Sequence, residues 1–336
     1  MATQQKALLV PAKFADFVVG SKSIPKPGPG ELLVKIRSTS LNPADWKIHK
    51  YGLFIEEFPA VLGLDLAGDV EEVGEGVTTF VKGDRVFAQG QYKPDWATFQ
   101  QYAKTDAATT SKIPPNFSYD DVATLPVALS ASYAGLYGNK PAGAAFDAPV
   151  SALAVGKYVN TPLVVLGGSS SVGRCVIQLA KYSGFDPIIT TSSLKHADDL
   201  KSLGAAHVID RGASVVTEVR KLTDKPILIV YDAISSADTQ QVGIDILAPG
   251  GKLVTVLPPS AKVEGKEIIP VFGSVSAHPE LLTSLYGKVL YGFLERGVIK
   301  PSHFEVIGGL AAIPEGLSRL QNNQVSNTKL VAHLQD

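Results

Sequence analysis

The spacing of apolar residues changes character along the chain. Residues 6–40 include alternating apolar and polar positions, as in Val34-Lys-Ile-Arg37, punctuated by turns such as Pro25-Lys-Pro-Gly-Pro-Gly30. That period of two predicts strands, and with the strand-like runs Pro59–Gly68, Val70–Val77 and Val81–Ala88, broken by glycine turns, it suggests a small antiparallel barrel. One short helix is expected to open at Asn42-Pro43, as cap and first-turn residues. The period then becomes helical through Val122–Ser130 and Tyr133–Tyr137, and residues 139–161, rich in Ala, Gly and Pro, read as a loop.

From residue 162 to about 275 strands alternate with helices. The strands expected are Leu163–Leu166, Ile188–Thr190, Val208–Ile209, Ile227–Tyr231, Lys252–Val256 and Ile268–Phe272. Helices at about 172–183, 196–203, 213–222 and 237–247 separate the first five, and another is expected at 279–296. This alternation is what a doubly wound parallel sheet requires. Its first βα unit carries Gly168-Ser-Ser170-Ser-Val-Gly173, a dinucleotide fingerprint with serine in place of the middle glycine. A pyrophosphate is expected against Gly168, Ser169 and the N–H groups of Ser170, Ser171 and Val172, where the helix opens with its positive end.

The chain has 336 residues, 45 % hydrophobic and 19 % charged, which allows two domains with substantial cores. A net charge of −1 argues against nucleic acid or an anionic membrane as the main partner. The single cysteine, Cys175, excludes an intramolecular disulfide and an all-thiolate metal site. Residues 1–7 carry no signal core, and Val122–Gly138, with a proline, serines and two tyrosines, suits a buried helix better than a membrane span. A soluble, cytoplasmic protein is expected.

Pro59–Gly68, Gly83-Asp-Arg-Val86, Ala123-Thr-Leu-Pro126, Gly167–Gly173, Leu203-Gly-Ala205 and Ala248-Pro-Gly-Gly-Lys-Leu253 together resemble the medium-chain dehydrogenase/reductase superfamily. Within it the chain is most similar to the zinc-free quinone oxidoreductases and the fungal trans-acting enoyl reductases. The tail Val325-Ser-Asn-Thr-Lys-Leu-Val331 is similar to a signature of the fungal branch. The resemblance implies an α/β protein: a GroES-like catalytic domain over 1–125, completed by 297–336, and a Rossmann NADP-binding domain over 126–296. It also implies a site in the cleft between them, and either a monomer or a homodimer.

Zinc-dependent relatives place histidine and glutamate after the glycine of Gly63-Leu-Asp65, where Leu64 and Asp65 stand here. The six histidines are scattered singly, so no metal is expected. An NAD site usually offers an acid about 20 residues beyond the glycine turn. Here Thr190-Thr-Ser-Ser-Leu-Lys195 carries no carboxylate before Asp198, and hydroxyls with a lysine suit the 2′-phosphate of NADPH. By resemblance, Ser193 and Lys195 match the family's 2′-phosphate positions, and Arg211 stands where relatives often carry a tyrosine. Leu257 and Phe272, at strand ends, are either cofactor contacts or core residues.

Hydride delivery to the β-carbon of an enone, enal or enoyl thioester leaves an enolate that needs a donor at oxygen and a proton at the α-carbon. Lys47 matches a lysine of the fungal enoyl reductases, and Asn42 matches a residue lining the quinone oxidoreductase cleft, unless it is only a helix cap. Tyr51, Tyr92 and Tyr133 are further candidate donors. Relatives often place threonine at Ala131, a contact that Ser130 or Ser132 would have to replace. The resulting expectation is NADPH-dependent reduction of an activated C=C bond in a small-molecule or acyl-thioester substrate. The alternatives are quinone reduction, or NADPH binding without turnover as in the crystallin relatives.

Overall fold

The computed structural model describes residues 3–260 and 262–336. Strands β1 (Gln4–Val10), β2 (Val18–Ser23), β3 (Glu31–Ser40), β4 (Ala60–Val61), β5 (Asp65–Val73), β6 (Arg85–Gln89), β7 (Tyr102–Asp106) and β8 (Thr110–Lys112) come first. They are followed by β9 (Leu163–Leu166), β10 (Ile188–Ser192), β11 (His207–Asp210), β12 (Ile229–Asp232), β13 (Lys252–Thr255) and β14 (Glu267–Pro270). Strands β15 (Phe304–Val306) and β16 (Lys329–His333) lie near the end of the chain. The chain divides into two compact units. The first holds the residues up to Val127 with Thr283–Glu295 and Pro301–Asp336, and the second holds Ala128–Leu282 with Arg296–Lys300.

In the first unit β3 is the spine. Its first half pairs with β7, from Glu31 to Lys35, and its last three residues pair with β16, while β5 runs along its other edge. All these pairings are antiparallel, as expected from the turns, and β15 joins the edge strand β16 in parallel. A smaller sheet, β2-β1-β4, completes the unit. Helix α1 (Pro43–Tyr51) starts from Asn42 in an extended conformation with Pro43 at its first position, and ends on Gly52, which takes the left-handed conformation at φ 62°.

In the second unit the sheet order is β11-β10-β9-β12-β13-β14, and every pairing is parallel. Strand β9 lies at the centre with all four residues buried, as its unbroken aliphatic run requires. Between the strands run α4 (Ser171–Ser183), α5 (Ala197–Leu203), α6 (Val215–Leu222) and α7 (Ala237–Ile246), preceded in the chain by α2 (Tyr119–Ala123) and α3 (Pro126–Tyr137). Strand order reverses beside β9, the switch point at which such sheets bind ligands. The helix expected at 279–296 is interrupted by a π-helical turn, Leu285–Val289. Among the described residues no helix is long and apolar enough to cross a membrane.

Candidate active site

Three glycines shape the turn after β9. Gly167 adopts φ 81°, a conformation that disfavours any side chain. A Cβ on Gly168 would lie 2.1 Å from Thr190 Oγ1, and one on Gly173 would lie 2.3 Å from the Gly167 carbonyl oxygen. Turn and helix therefore pack backbone to backbone. The hydroxyls of β10 help hold them: Gly167 N–H donates to Thr191 Oγ1 at 3.0 Å, and Gly168 N–H to the Thr191 carbonyl at 2.9 Å.

Serine in the middle glycine's place has a local use. Ser170 is the N-cap of α4, and its Oγ accepts the Gly173 N–H at 3.0 Å. Its own N–H donates to Gly167 O at 3.0 Å, so this group, expected to face a pyrophosphate, is already engaged. No acceptor among the described residues meets the N–H of Ser171 or Val172, and both residues are half-buried together with Ser169. Two first-turn donors at the positive end of a 13-residue helix form an anion cradle. These residues fit a dinucleotide pyrophosphate.

Further along the strand ends, Lys195 and Arg211 are exposed, Ser193 is half-buried, and Arg211 N–H donates to Ser192 O at 3.1 Å. Phe272 is 48 % exposed and so is not a core residue, whereas Leu257 is half-buried. Asp232, fully buried, accepts from the N–H groups of Ile234 and Ser235 and from Thr239 Oγ1, which makes it the fastener of its own turn. On α3, Ser132 Oγ donates to Ala128 O and Val172 O, and Tyr231 OH donates to Ala131 O at 2.9 Å.

In the first unit a polar cluster that the sequence reading did not foresee lies where β3, β5, β16 and the start of α1 meet. Lys329 Nζ, on a side chain 4 % exposed, donates to Asp65 Oδ2 at 2.7 Å, Asn42 Oδ1 at 2.7 Å and Ser40 Oγ at 2.9 Å. Asp65 Oδ2 also accepts from Ser40 Oγ at 2.6 Å and Asn42 Nδ2 at 2.8 Å, and Oδ1 accepts from Val127 N–H at 2.8 Å. The register explains the meeting, because Val331 pairs with Ser40 and Ala67 with Ser38, which flanks the end of β3 with Lys329 and Asp65. The available signal was a charged residue at each edge of an apolar run, Asp65-Leu-Ala and Lys329-Leu-Val-Ala.

Asn42 is thus both the helix cap and a clamped amide. Its N–H donates to Asp45 Oδ2 at 2.7 Å, while its side chain is held between Lys329 and Asp65. Asp45 is fully buried, and its Oδ1 has no hydrogen-bond partner among the described residues. Burial pushes its carboxyl up to about 7; the Asn42 N–H opposes the shift, the Asp65 carboxylate adds to it, and Lys329 opposes it. A carboxyl whose pKa is raised on folding costs stability as pH climbs from its unfolded value through its folded one. Asp45→Asn should therefore gain stability relative to the parent between pH 5 and pH 8, by a few kcal/mol on the order set by that shift. Denaturant midpoints measured at both pH values check this, and a difference independent of pH would refute it.

Lys47 is half-buried, and its Nζ lies 5.6 Å from the Trp46 ring centroid, with no carboxylate within ion-pair distance among the described residues. Burial lowers its pKa, which makes the ammonium a better proton donor. Tyr51 is 56 % exposed and packs against Trp46. Tyr92 stacks on Phe54 at 5.8 Å, and burial together with Asp45 and Asp65 raises its phenol pKa. Tyr133, fully buried in the second unit, keeps a hydroxyl without a partner among the described residues, and burial raises its pKa.

A parallel sheet with an anion cradle at its switch point, together with a separate β-rich unit, defines a two-unit nucleotide-binding protein. Residues 28–115 match the alcohol dehydrogenase GroES-like domain and residues 171–294 the zinc-binding dehydrogenase family. Dehydrogenase orsE of Emericella nidulans is 32 % identical over 99 % of this chain and 100 % of that protein. Trans-enoyl reductase tndF of Aspergillus flavipes is 31 % identical over 99 % of this chain and 100 % of its own. Among solved structures, an alcohol dehydrogenase superfamily protein from Novosphingobium aromaticivorans superposes with a TM-score of 0.82 at 23 % identity, covering 98 % of this chain and 99 % of that one. The chain belongs to the medium-chain dehydrogenase/reductase superfamily, in its enoyl reductase branch.

Members of this superfamily generally bind nicotinamide cofactors, and the Ser171–Val172 cradle fits one. The metal implied by the second family's description does not fit. Both oxygens of Asp65 are engaged, Oδ2 by Lys329, Ser40 and Asn42 and Oδ1 by Val127 N–H, and Leu64 offers no ligand atom. Among the described residues no three His, Cys, Asp or Glu side chains converge.

Proposed function

We propose that the protein is an NADPH-dependent, zinc-independent reductase of an activated C=C bond in an enone, enal or enoyl thioester. The observation that carries this reading is Lys47, a desolvated ammonium without a counter-ion among the described residues, on the helix that Asn42 caps. Ser171 and Val172 would hold the pyrophosphate, Ser193, Lys195 and Arg211 the 2′-phosphate, and Leu257 and Phe272 would border the cofactor. When bound, the dihydronicotinamide supplies a hydride. The residues of this chain do the rest: Lys47 supports the carbonyl oxygen as negative charge develops and is the first candidate to return a proton, with Tyr51, the last residue of the same helix, as a second donor. Asn42 contributes by fixing the start of α1, since its amide is spent on Lys329 and Asp65.

The cofactor assignment predicts that Lys195→Ala weakens NADPH by about 10- to 100-fold, the worth of a charge-assisted hydrogen bond, and leaves NADH within about twofold. Fluorescence titration of both cofactors checks this; equal losses would remove Lys195 from the 2′-phosphate. The second reading, quinone reduction, is favoured by Phe54, which stacks on Tyr92 with ring planes 6° from parallel and is 62 % exposed, leaving an aromatic face for a flat ring. Anaerobic NADPH oxidation on enones, enoyl thioesters and quinones side by side, with product identification, separates the readings. A saturated carbonyl product supports C=C reduction, and turnover of quinones alone moves the function to the second reading. NADPH binding without turnover on any of the three supports a non-catalytic binding protein.

A further inference from the structure

At the ends of β12 and β13, beside the switch point, one buried amide ties together the two segments that leave the sheet. Gln240 of α7 is 1 % exposed. Its Nε2 donates to Ser235 O at 3.0 Å, in the turn after β12, and to Pro258 O at 3.1 Å, in the segment after β13. Its Oε1 accepts from Ser260 N–H at 2.7 Å and from Ser260 Oγ at 2.9 Å. Both donors and both acceptor positions of the amide are thus used. Ser235 fastens the same segments from the other side: its Oγ accepts from Val256 N–H at 2.9 Å and donates to Asp232 O at 2.8 Å. It is buried and left-handed, at φ 58°, a conformation that a residue with a side chain holds only where its surroundings determine it. Its neighbour Ile234 meets the glycine turn, since a Cβ on Gly167 would lie 2.5 Å from Ile234 Cγ1. Leu257, placed above at the border of the cofactor, stands between the two residues so tied, Val256 and Pro258, and its carbonyl accepts from Thr255 Oγ1 at 2.8 Å.

We infer that Gln240 is a positioning residue for the cofactor: without touching it, the amide holds Leu257 and the Ile234 turn at the strand ends where the dinucleotide lies. The inference rests on the dinucleotide site proposed above. The groups that bind Gln240 belong to irregular segments, whose main-chain donors and acceptors have no ladder to satisfy them. Helix α7 itself does not need the amide, because Ser236 caps it and Thr239 Oγ1 donates to Asp232 Oδ2 at 2.7 Å. A change at Gln240 therefore acts on the strand-end segments more than on the helix that carries it. A carboxylate of the same shape would face two carbonyl oxygens, those of Ser235 and Pro258, and repel both. The neutral acid would donate to one of them and still accept from Ser260.

Calorimetric titration of the whole chain with NADP⁺ and with NAD⁺ tests this, because both oxidised cofactors survive mild acid. Gln240→Leu should weaken the two cofactors alike, by about 10-fold, the order set by leaving buried donors and acceptors unmet. Gln240→Glu should bind within about twofold of the parent at about pH 5.5 and about 10-fold more weakly than the parent at about pH 8, since burial raises a carboxyl into that interval. Taking the ratio to the parent at each pH cancels the titration of the cofactor's own phosphate. Circular dichroism at each pH shows whether the fold is retained, and a loss of stability alone leaves the ratios at one. Should Gln240→Leu not fold, the pH profile of Gln240→Glu decides. Parental affinity of Gln240→Glu at both pH values, or a loss equal at both, would overturn the inference. A parent that binds neither cofactor would instead defeat the site on which it rests.

Discussion

Replacing Lys329 by methionine should cost the first unit about 3–5 kcal/mol of stability, the typical penalty for removing one partner of a buried ion pair. The side chains of Lys329 and Asp65 are 4 % and 0 % exposed, so water does not replace the lost ammonium. Methionine fills most of the volume but donates nothing. Asp65 Oδ2 would keep Ser40 and Asn42, yet the Asn42 carbonyl would lose its donor, and with it the clamp on the start of α1. Pairing Lys329→Met with Asp65→Asn removes the unpaired charge while keeping an acceptor for Val127 N–H, and should recover more than half of the loss. Urea titrations of the parent, the single variant and the double variant test this. A single variant within about 1 kcal/mol of the parent would mean that the cluster contributes little.

The second large effect belongs to the glycine turn. Gly173→Val should abolish measurable binding of NADPH and NADH alike, a loss above about 100-fold, because the added atoms meet backbone rather than a yielding side chain. Its Cβ would sit 2.3 Å from Gly167 O and 2.8 Å from Gly168 Cα, so α4 must move away from β9 and take the Ser171 and Val172 donors with it. Overpacking of this kind also costs about 1–3 kcal/mol of stability. The contrast with Lys195→Ala is diagnostic, since one variant discriminates between the cofactors and the other does not. Cofactor titration, with circular dichroism to show that the sheet persists, measures both. Retained affinity in Gly173→Val would place the pyrophosphate elsewhere.

Where structure is set by near neighbours, the chain was readable. Leu163–Leu166 is a strand with the expected bounds because an unbroken aliphatic run followed by two glycines leaves few other conformations. Helix α4 was expected at 172–183 and spans Ser171–Ser183; the extra residue follows from Ser170 acting as cap. The run Thr190-Thr-Ser-Ser was read as a set of hydroxyls for a phosphate, and composition alone could not divide it. Thr190 and Thr191 are occupied with the glycine turn, since Thr190 Oγ1 donates to Val165 O and Thr191 Oγ1 accepts from Gly167 N–H, while Ser192 alone is buried without a partner among the described residues. Which hydroxyl faces which neighbour depends on the pleat and register of β10, and identical residue types conceal both.

The parallel sheet, the glycine turn and the missing acid at the end of β10 were therefore determined by the sequence itself, because period and turn chemistry act over a few residues. The Lys329–Asp65 cluster, the fate of the Asn42 amide and the raised carboxyl of Asp45 were decided only by tertiary structure. Lys329 and Asp65 stand 264 residues apart, and no local rule links them. They meet because β5 and β16 flank the same end of β3, and burial there strengthens every charge that water would otherwise screen.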